Sequence, residues 1–185
     1  ICLGTMTFGQ ENTEAAGHVI MDYALEQGVN FFETAEMYTV PARQETYGST
    51  ERILGTWFQK TGNRDKVVLA SKIAGPNPNF TYMREKNDFS PASIQYALDK
   101  SLERLQTDYI DLYQLHWPER KTNFFGQRGF KVQDDAWEDN IHAVLETLNG
   151  FIQQGKIKHI GLSNETPWGI MRFLEESKYH NLPRI

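Results

Sequence analysis

Cysteine is almost missing from this chain: Cys2 is the one thiol in 185 residues. An internal disulfide is therefore excluded, which argues against a stapled secreted scaffold and for a cytoplasmic protein. Long hydrophobic runs are missing too. None approaches the ~20 apolar residues that a membrane-spanning helix needs, so no membrane partner is expected. Neither sign of charge dominates: 19 Lys and Arg stand against 24 Asp and Glu, a formal net charge of −5. The basic residues are scattered, and without a clustered positive footprint no nucleic-acid partner is expected. The histidines (His18, His116, His142, His159 and His180) make no i, i+4 pair with one another, no HExxH and have no partner cysteines. No metal site is expected from such spacing, and His18 and His142, which lie in helical patterns, read as ordinary. Neither GxGxxG nor GxxxxGK[ST] occurs, the nearest glycine cluster being GQRG, so any dinucleotide must be held by a non-Rossmann route. The tripeptides at Asn79 and Asn164 match the glycosylation acceptor pattern but read as unglycosylated chance matches.

What is present is an alternation. The chain is 39% hydrophobic and 12% aromatic, enough for one core, and no linker divides residues 1–185. Short β-branched or apolar runs at 1–5, 29–33, 66–72, 109–117 and 156–164 alternate with helical patterns, the sequence form of repeated βα units on a parallel sheet. Thr13, Ser90 and Thr166 are placed as N-caps, the last two followed by Pro91 and Pro167 at the first helical position. Ser49 starts the second helix and Gly28 ends the first. In the fourth helical pattern, which opens at Asp134, residues Trp137, Ile141, Val144, Leu145 and Leu148 fall on one face. The stretches 73–89 and 118–135 read as long loops, of the kind that serve a site.

The last four of these strands finish in unusual polar residues: Glu33, Lys72, His116, and Ser163 with Asn164. Apolar strands that end this way suit a (β/α)8 TIM-type barrel, whose active site lies at the strand C-termini. Eight units close such a barrel and five are counted here. Ile1 already opens a strand-like run and the chain ends on a helix exit, so both ends read as cut. The expectation is the first five βα units of a barrel, without strands six to eight, and an open sheet with unpaired edges.

Taken singly, the polar residues have ordinary explanations: Lys72 could snorkel to solvent, His116 could be held by the HWP turn, and Tyr38 could be a core aromatic. Together they place a carboxylate, a lysine and a histidine on consecutive strand ends, with a phenol in reach. A phenol titrates near ~10 when unperturbed. An ammonium held charged by a carboxylate would lower that value, and a histidine could steer the proton, making a general acid for a carbonyl oxygen. No side chain supplies hydride, so the donor would be a nicotinamide.

The segments LGTMTFG, GVNFFETAEMY, GSTERILG, VVLASK, SLERLQTDYIDLYQLHW and GKIKHIGLSN occur in an order and spacing similar to those of the aldo-keto reductases. The resemblance implies a (β/α)8 barrel that reduces an aldehyde or ketone to an alcohol with NADPH. It implies Tyr38 as the acid, Lys72 as the residue that lowers its pKa, and His116 as the group orienting a small carbonyl substrate. Glu33 stands where the family has aspartate; its extra methylene must fold back or push Lys72 outward, which predicts a weakened set. Glu36 is expected on the substrate side or in solvent. Gly4, Thr5 and Met6 resemble the segment that passes the nicotinamide, and Ser163 and Asn164 the pair that bonds its carboxamide. Later units of the family supply much of the phosphate pocket, so residues 1–185 alone are expected to bind NADPH weakly and to be inactive. The alternatives are a truncated or weak barrel that senses a cofactor as a regulatory binding protein, and an aldolase using Lys72 as a Schiff-base former.

Overall fold

The computed structural model describes residues 1–129 and 136–185. Its elements follow the expected alternation: β1 (Cys2–Gly4), α1 (Glu14–Glu26), β2 (Phe31–Glu33), α2 (Ser49–Thr61), β3 (Val68–Ile73), α3 (Pro91–Leu105), β4 (Ile110–Leu115), α4 (Ile141–Gln153), β5 (Ile157–Leu162) and α5 (Pro167–His180). The strands form one parallel sheet in the order β1-β2-β3-β4-β5. That order never reverses, unlike a doubly wound sheet with its switch point, and is the wall of an α/β barrel. Register aligns the strand ends: Glu33 lies opposite Ala70, Lys72 opposite Gln114, and Leu115 opposite Leu162.

Local sequence explains where the helices begin. The Thr13 hydroxyl accepts from the Ala16 N–H, that of Ser90 from Ser93, and that of Thr166 from Gly169, each satisfying a donor that the first turn leaves free. Proline follows the last two caps, where its missing N–H costs nothing. The fourth helix differs from expectation. It starts at Ile141, because the Asp139 carboxylate accepts the Ile141 N–H in a local turn that competes with a further helical turn. Trp137 therefore precedes the helix, partly buried against the core, with its indole N–H on Asn140. Residues 130–135, the end of the expected 118–135 loop and the first two of that helical pattern, lie outside the described residues.

The core lies between sheet and helices. Phe32, Leu69, Ile110 and Ile157 from the strands meet Leu54, Trp57, Leu98 and Leu145 from the helices, all buried. Helix α2 rides close on the end of α3: a Cβ on Gly55 would stand 2.2 Å from the Arg104 carbonyl oxygen. Beneath this contact Glu51, fully buried, accepts from Ser71 Oγ at 2.6 Å and pairs with Arg104 Nε at 2.7 Å. Among the described residues no helix is long and apolar enough to cross a membrane.

Candidate active site

The C-terminal ends of β2, β3 and β4 assemble one polar cluster. After Glu33 the chain stays in register with β3, since the Thr34 N–H donates to the Ala70 carbonyl and the Glu36 N–H to the Lys72 carbonyl. A turn closed by the Tyr38 N–H on the Ala35 carbonyl then folds the phenol back over the strand ends. Lys72 Nζ donates to the Thr34 carbonyl at 2.9 Å and to the Tyr38 hydroxyl at 3.2 Å, and it forms an ion pair with Glu33. His116, fixed by its N–H on the Ile73 carbonyl, presents its ring edge-on to Tyr38, with Nε2 3.4 Å from the phenol oxygen. Of the four residues singled out from sequence, Lys72 and His116 therefore meet at the Tyr38 oxygen, and Glu33 joins the cluster through Lys72. Lys72 is 4%, His116 5% and Tyr38 7% exposed, whereas the Glu33 side chain is 26% exposed.

The extra methylene of Glu33 does not push Lys72 outward: the lysine stays buried and bonded to Tyr38, and the longer carboxylate reaches it from the rim. Burial pulls the Lys72 ammonium down to about 7, and the adjoining carboxylate acts in the opposite sense by favouring the charged form. Burial, with help from the Lys72 charge, lowers His116 to about 3, so its ring is a neutral imidazole at ordinary pH. Its Nδ1 is buried without a partner among the described residues. Burial raises the Tyr38 phenol rather than lowering it. The expected downward shift is thus outweighed: burial of the hydroxyl penalises phenolate more than the neighbouring ammonium favours it.

Glu36 departs furthest from expectation. It is fully buried, accepting from both the Ala74 N–H at 2.6 Å and Arg84 Nη1 at 2.8 and 2.9 Å, and so it is neither solvent-exposed nor directed at a substrate. Arg84 in turn donates to the Ala74 carbonyl. The pair staples the loop after β3 to the end of β2, a role with no sequence signal because the partners are 48 residues apart. Beside it, Ala74, Met83 and Trp117 form a second buried apolar cluster, faced by Met37, Phe80 and Tyr82. Trp117 packs on the His116 ring at 4.9 Å between centroids, giving the histidine an apolar wall.

The remaining candidates lie on either side of this cluster. Thr5 is fully buried, and its hydroxyl and N–H both go to the Glu33 carbonyl, so it ties β1 to β2 instead of offering a free donor. Met6 is exposed, and at Gly4 a Cβ would meet nothing, which leaves open space over the end of β1. On the other side, the Ser163 N–H donates to the Leu115 carbonyl, and Asn164 Nδ2 donates to the His116 carbonyl at 2.9 Å and to Ser163 Oγ at 3.0 Å. Among the described residues that leaves the Ser163 hydroxyl proton and Asn164 Oδ1 unused, a donor and an acceptor side by side. The pair matches the complement of a primary carboxamide, so the residues present fit the reactive end of a nicotinamide.

Comparison with known proteins places the chain in a family. The aldo/keto reductase family model matches residues 1–182. The chain is 48% identical over 184 residues to Protein tas of Escherichia coli, covering 99% of this chain and 53% of that protein. It is 38% identical over 183 residues to the uncharacterized oxidoreductase YrpG of Bacillus subtilis, covering 96% of this chain and 49% of that one. An aldo-keto reductase of Bacillus halodurans, solved in its holo form, superposes with a TM-score of 0.69 at 31% identity, over 95% of this chain and 49% of that one. The chain thus spans about half the length of the relatives it matches. With five βα units in barrel order and a family match over nearly its whole length, the chain belongs to the aldo/keto reductase family.

Proposed function

We propose that this chain carries the acid–base centre of an NADPH-dependent reductase that converts an aldehyde or ketone to its alcohol, Tyr38 being the general acid. The observation that carries the reading is the Tyr38 hydroxyl, buried and held between Lys72 Nζ at 3.2 Å and His116 Nε2 at 3.4 Å. NADPH, when bound, supplies the hydride.

The chain's own residues would manage the proton. A carbonyl oxygen seated against Tyr38 and His116 Nε2 meets two groups able to hydrogen-bond to it. Because burial raises the phenol, Tyr38 keeps its proton until negative charge builds on that oxygen. As the proton leaves, phenolate forms 3.2 Å from Lys72, and the ammonium stabilises it at the moment it appears. Glu33 favours the charged lysine and so sustains that stabilisation. His116 stays neutral and orients the oxygen without competing for the proton. Ser163 and Asn164 would bind the carboxamide, with Gly4 and Met6 bordering the ring, while Thr5 holds the strand ends in place.

The test is the protein in the full length its gene encodes, with NADPH and a panel of aldehydes and ketones, read as alcohol formed. Alcohol should form only with NADPH, and Glu33→Asp should be at least as active, since the shorter acid removes the reach from the rim. Tight NADPH binding with no product across the panel would contradict the proposal and favour a sensing role.

A further inference from the structure

On their solvent side, α4 and α5 bring together two histidines and a carboxylate that the proposed reduction does not use. His142 Nδ1 lies 2.7 Å and His180 Nε2 3.2 Å from the same oxygen of Glu176, Oε1. The two rings stand edge to face with centroids 4.7 Å apart, and the three ligand atoms all lie within 4.8 Å of one another. We propose that His142 Nδ1, Glu176 Oε1 and His180 Nε2 bind a Zn2+ ion that clamps α4 to α5.

Zinc bonds of about 2.0–2.1 Å in a tetrahedron set ligand atoms about 3.3–3.4 Å apart. The Glu176–His180 spacing already meets that value, and the His142–Glu176 spacing must open by about 0.6 Å, within reach of a half-exposed imidazole on a helix surface. The outer contacts also suit ligation. His142 Nε2 faces Glu146 Oε1 at 3.3 Å, one turn along α4. A carboxylate there accepts the Nε2 N–H and so leaves the Nδ1 lone pair for metal, the support that histidine ligands ordinarily have. Arg172 Nη2 occupies the other Glu176 oxygen, Oε2, at 3.2 Å, which leaves Oε1 as a single ligand atom. The carboxylates of Asp139, Glu146 and Glu175 outnumber the one guanidinium, Arg172, that pairs within this cluster, so the local field favours a divalent cation. A fourth position faces solvent and would hold water. Borderline nitrogen and oxygen ligands in this number suit Zn2+ rather than the all-oxygen shells of Mg2+ or Ca2+. Within one helix each pairing is only His with Glu at i, i+4; packing α4 against α5 is what creates the set.

The experiment is a Zn2+ titration of the untagged protein against a chromophoric competing chelator at neutral pH, with His142→Ala, His180→Ala, Glu146→Ala and His159→Ala beside it. All four side chains are at least partly exposed, so folding is not at stake. One ion per chain is expected, with affinity reduced at least tenfold in His142→Ala and His180→Ala, about 10–100-fold in Glu146→Ala, and unchanged in His159→Ala. Absence of competitive uptake would overturn the proposal. So would uptake that survives both histidine substitutions, which would locate the metal elsewhere, as on the Cys2 thiol.

Discussion

Glu33→Gln tests whether the rim carboxylate sustains the charge on Lys72. Burial takes Lys72 from 10.5 to about 7, and at 1.36 kcal/mol per unit this is about 5 kcal/mol against the buried ammonium. The Glu33 carboxylate offsets part of that cost. Because its side chain is 26% exposed, solvent screening reduces the loss on its removal below the range for a fully buried pair, to about 2–3 kcal/mol. The sign with pH follows from linkage. The folded value lies below the unfolded one, so between about pH 7 and 10.5 the unfolded chain binds more protons at this site and stability rises with pH. Glu33→Gln should therefore cost about 2–3 kcal/mol at pH 6 and under about 1 kcal/mol at pH 10, where the lysine unloads its proton. Urea unfolding followed by tryptophan fluorescence, native and variant at each pH, measures the difference. Glu33→Gln combined with Lys72→Met should be more stable than Glu33→Gln alone at pH 6, since the stranded charge is gone. Equal cost at both pH values, or no recovery in the double variant, would refute the reasoning.

Three further outcomes are expected. Glu36→Gln leaves Arg84 buried without its counter-charge and should destabilise by about 3–5 kcal/mol in the same unfolding assay. His116 has its folded value lowered from 6.5 to about 3, so its contribution is complete above pH 6.5 and is lost as pH falls toward 3. At pH 4 the loss is about 3 kcal/mol, and His116→Asn should flatten the fall in urea midpoint between pH 7 and 4. Gly55→Ala drives a methyl into the Arg104 carbonyl and should cost about 1–3 kcal/mol, read as a lowered melting temperature.

The features legible in the sequence were those fixed by near neighbours or by a repeating pattern. Thr13, Ser90 with Pro91, and Thr166 with Pro167 cap helices through hydrogen bonds three residues long, so their spacing sufficed. The βα alternation led to the parallel sheet, and the polar residues ending β2, β3 and β4 led to the cluster at Tyr38. Other features depend on packing. The burial that raises Tyr38, and so reverses its expected shift, belongs to the fold and not to the FFETAEMY segment. Glu36 looked like a loop carboxylate because Arg84 lies far along the chain. Helix α4 starts late because Asp139 captures the Ile141 N–H, a contact that helical periodicity at Trp137 conceals. The His142, Glu176 and His180 cluster was equally hidden, since its members sit on two helices and no single-helix spacing reveals it.

The most direct measurement of the proposed chemistry compares native protein with Tyr38→Phe for NADPH-dependent reduction of an aldehyde the native protein accepts. The substitution removes one buried oxygen and keeps the ring against His116. If Tyr38 is the acid, the rate falls by about 100-fold or more, the contribution expected of a general acid, while NADPH affinity stays the same. A Tyr38→Phe protein that reduces the aldehyde at the native rate would contradict the central claim.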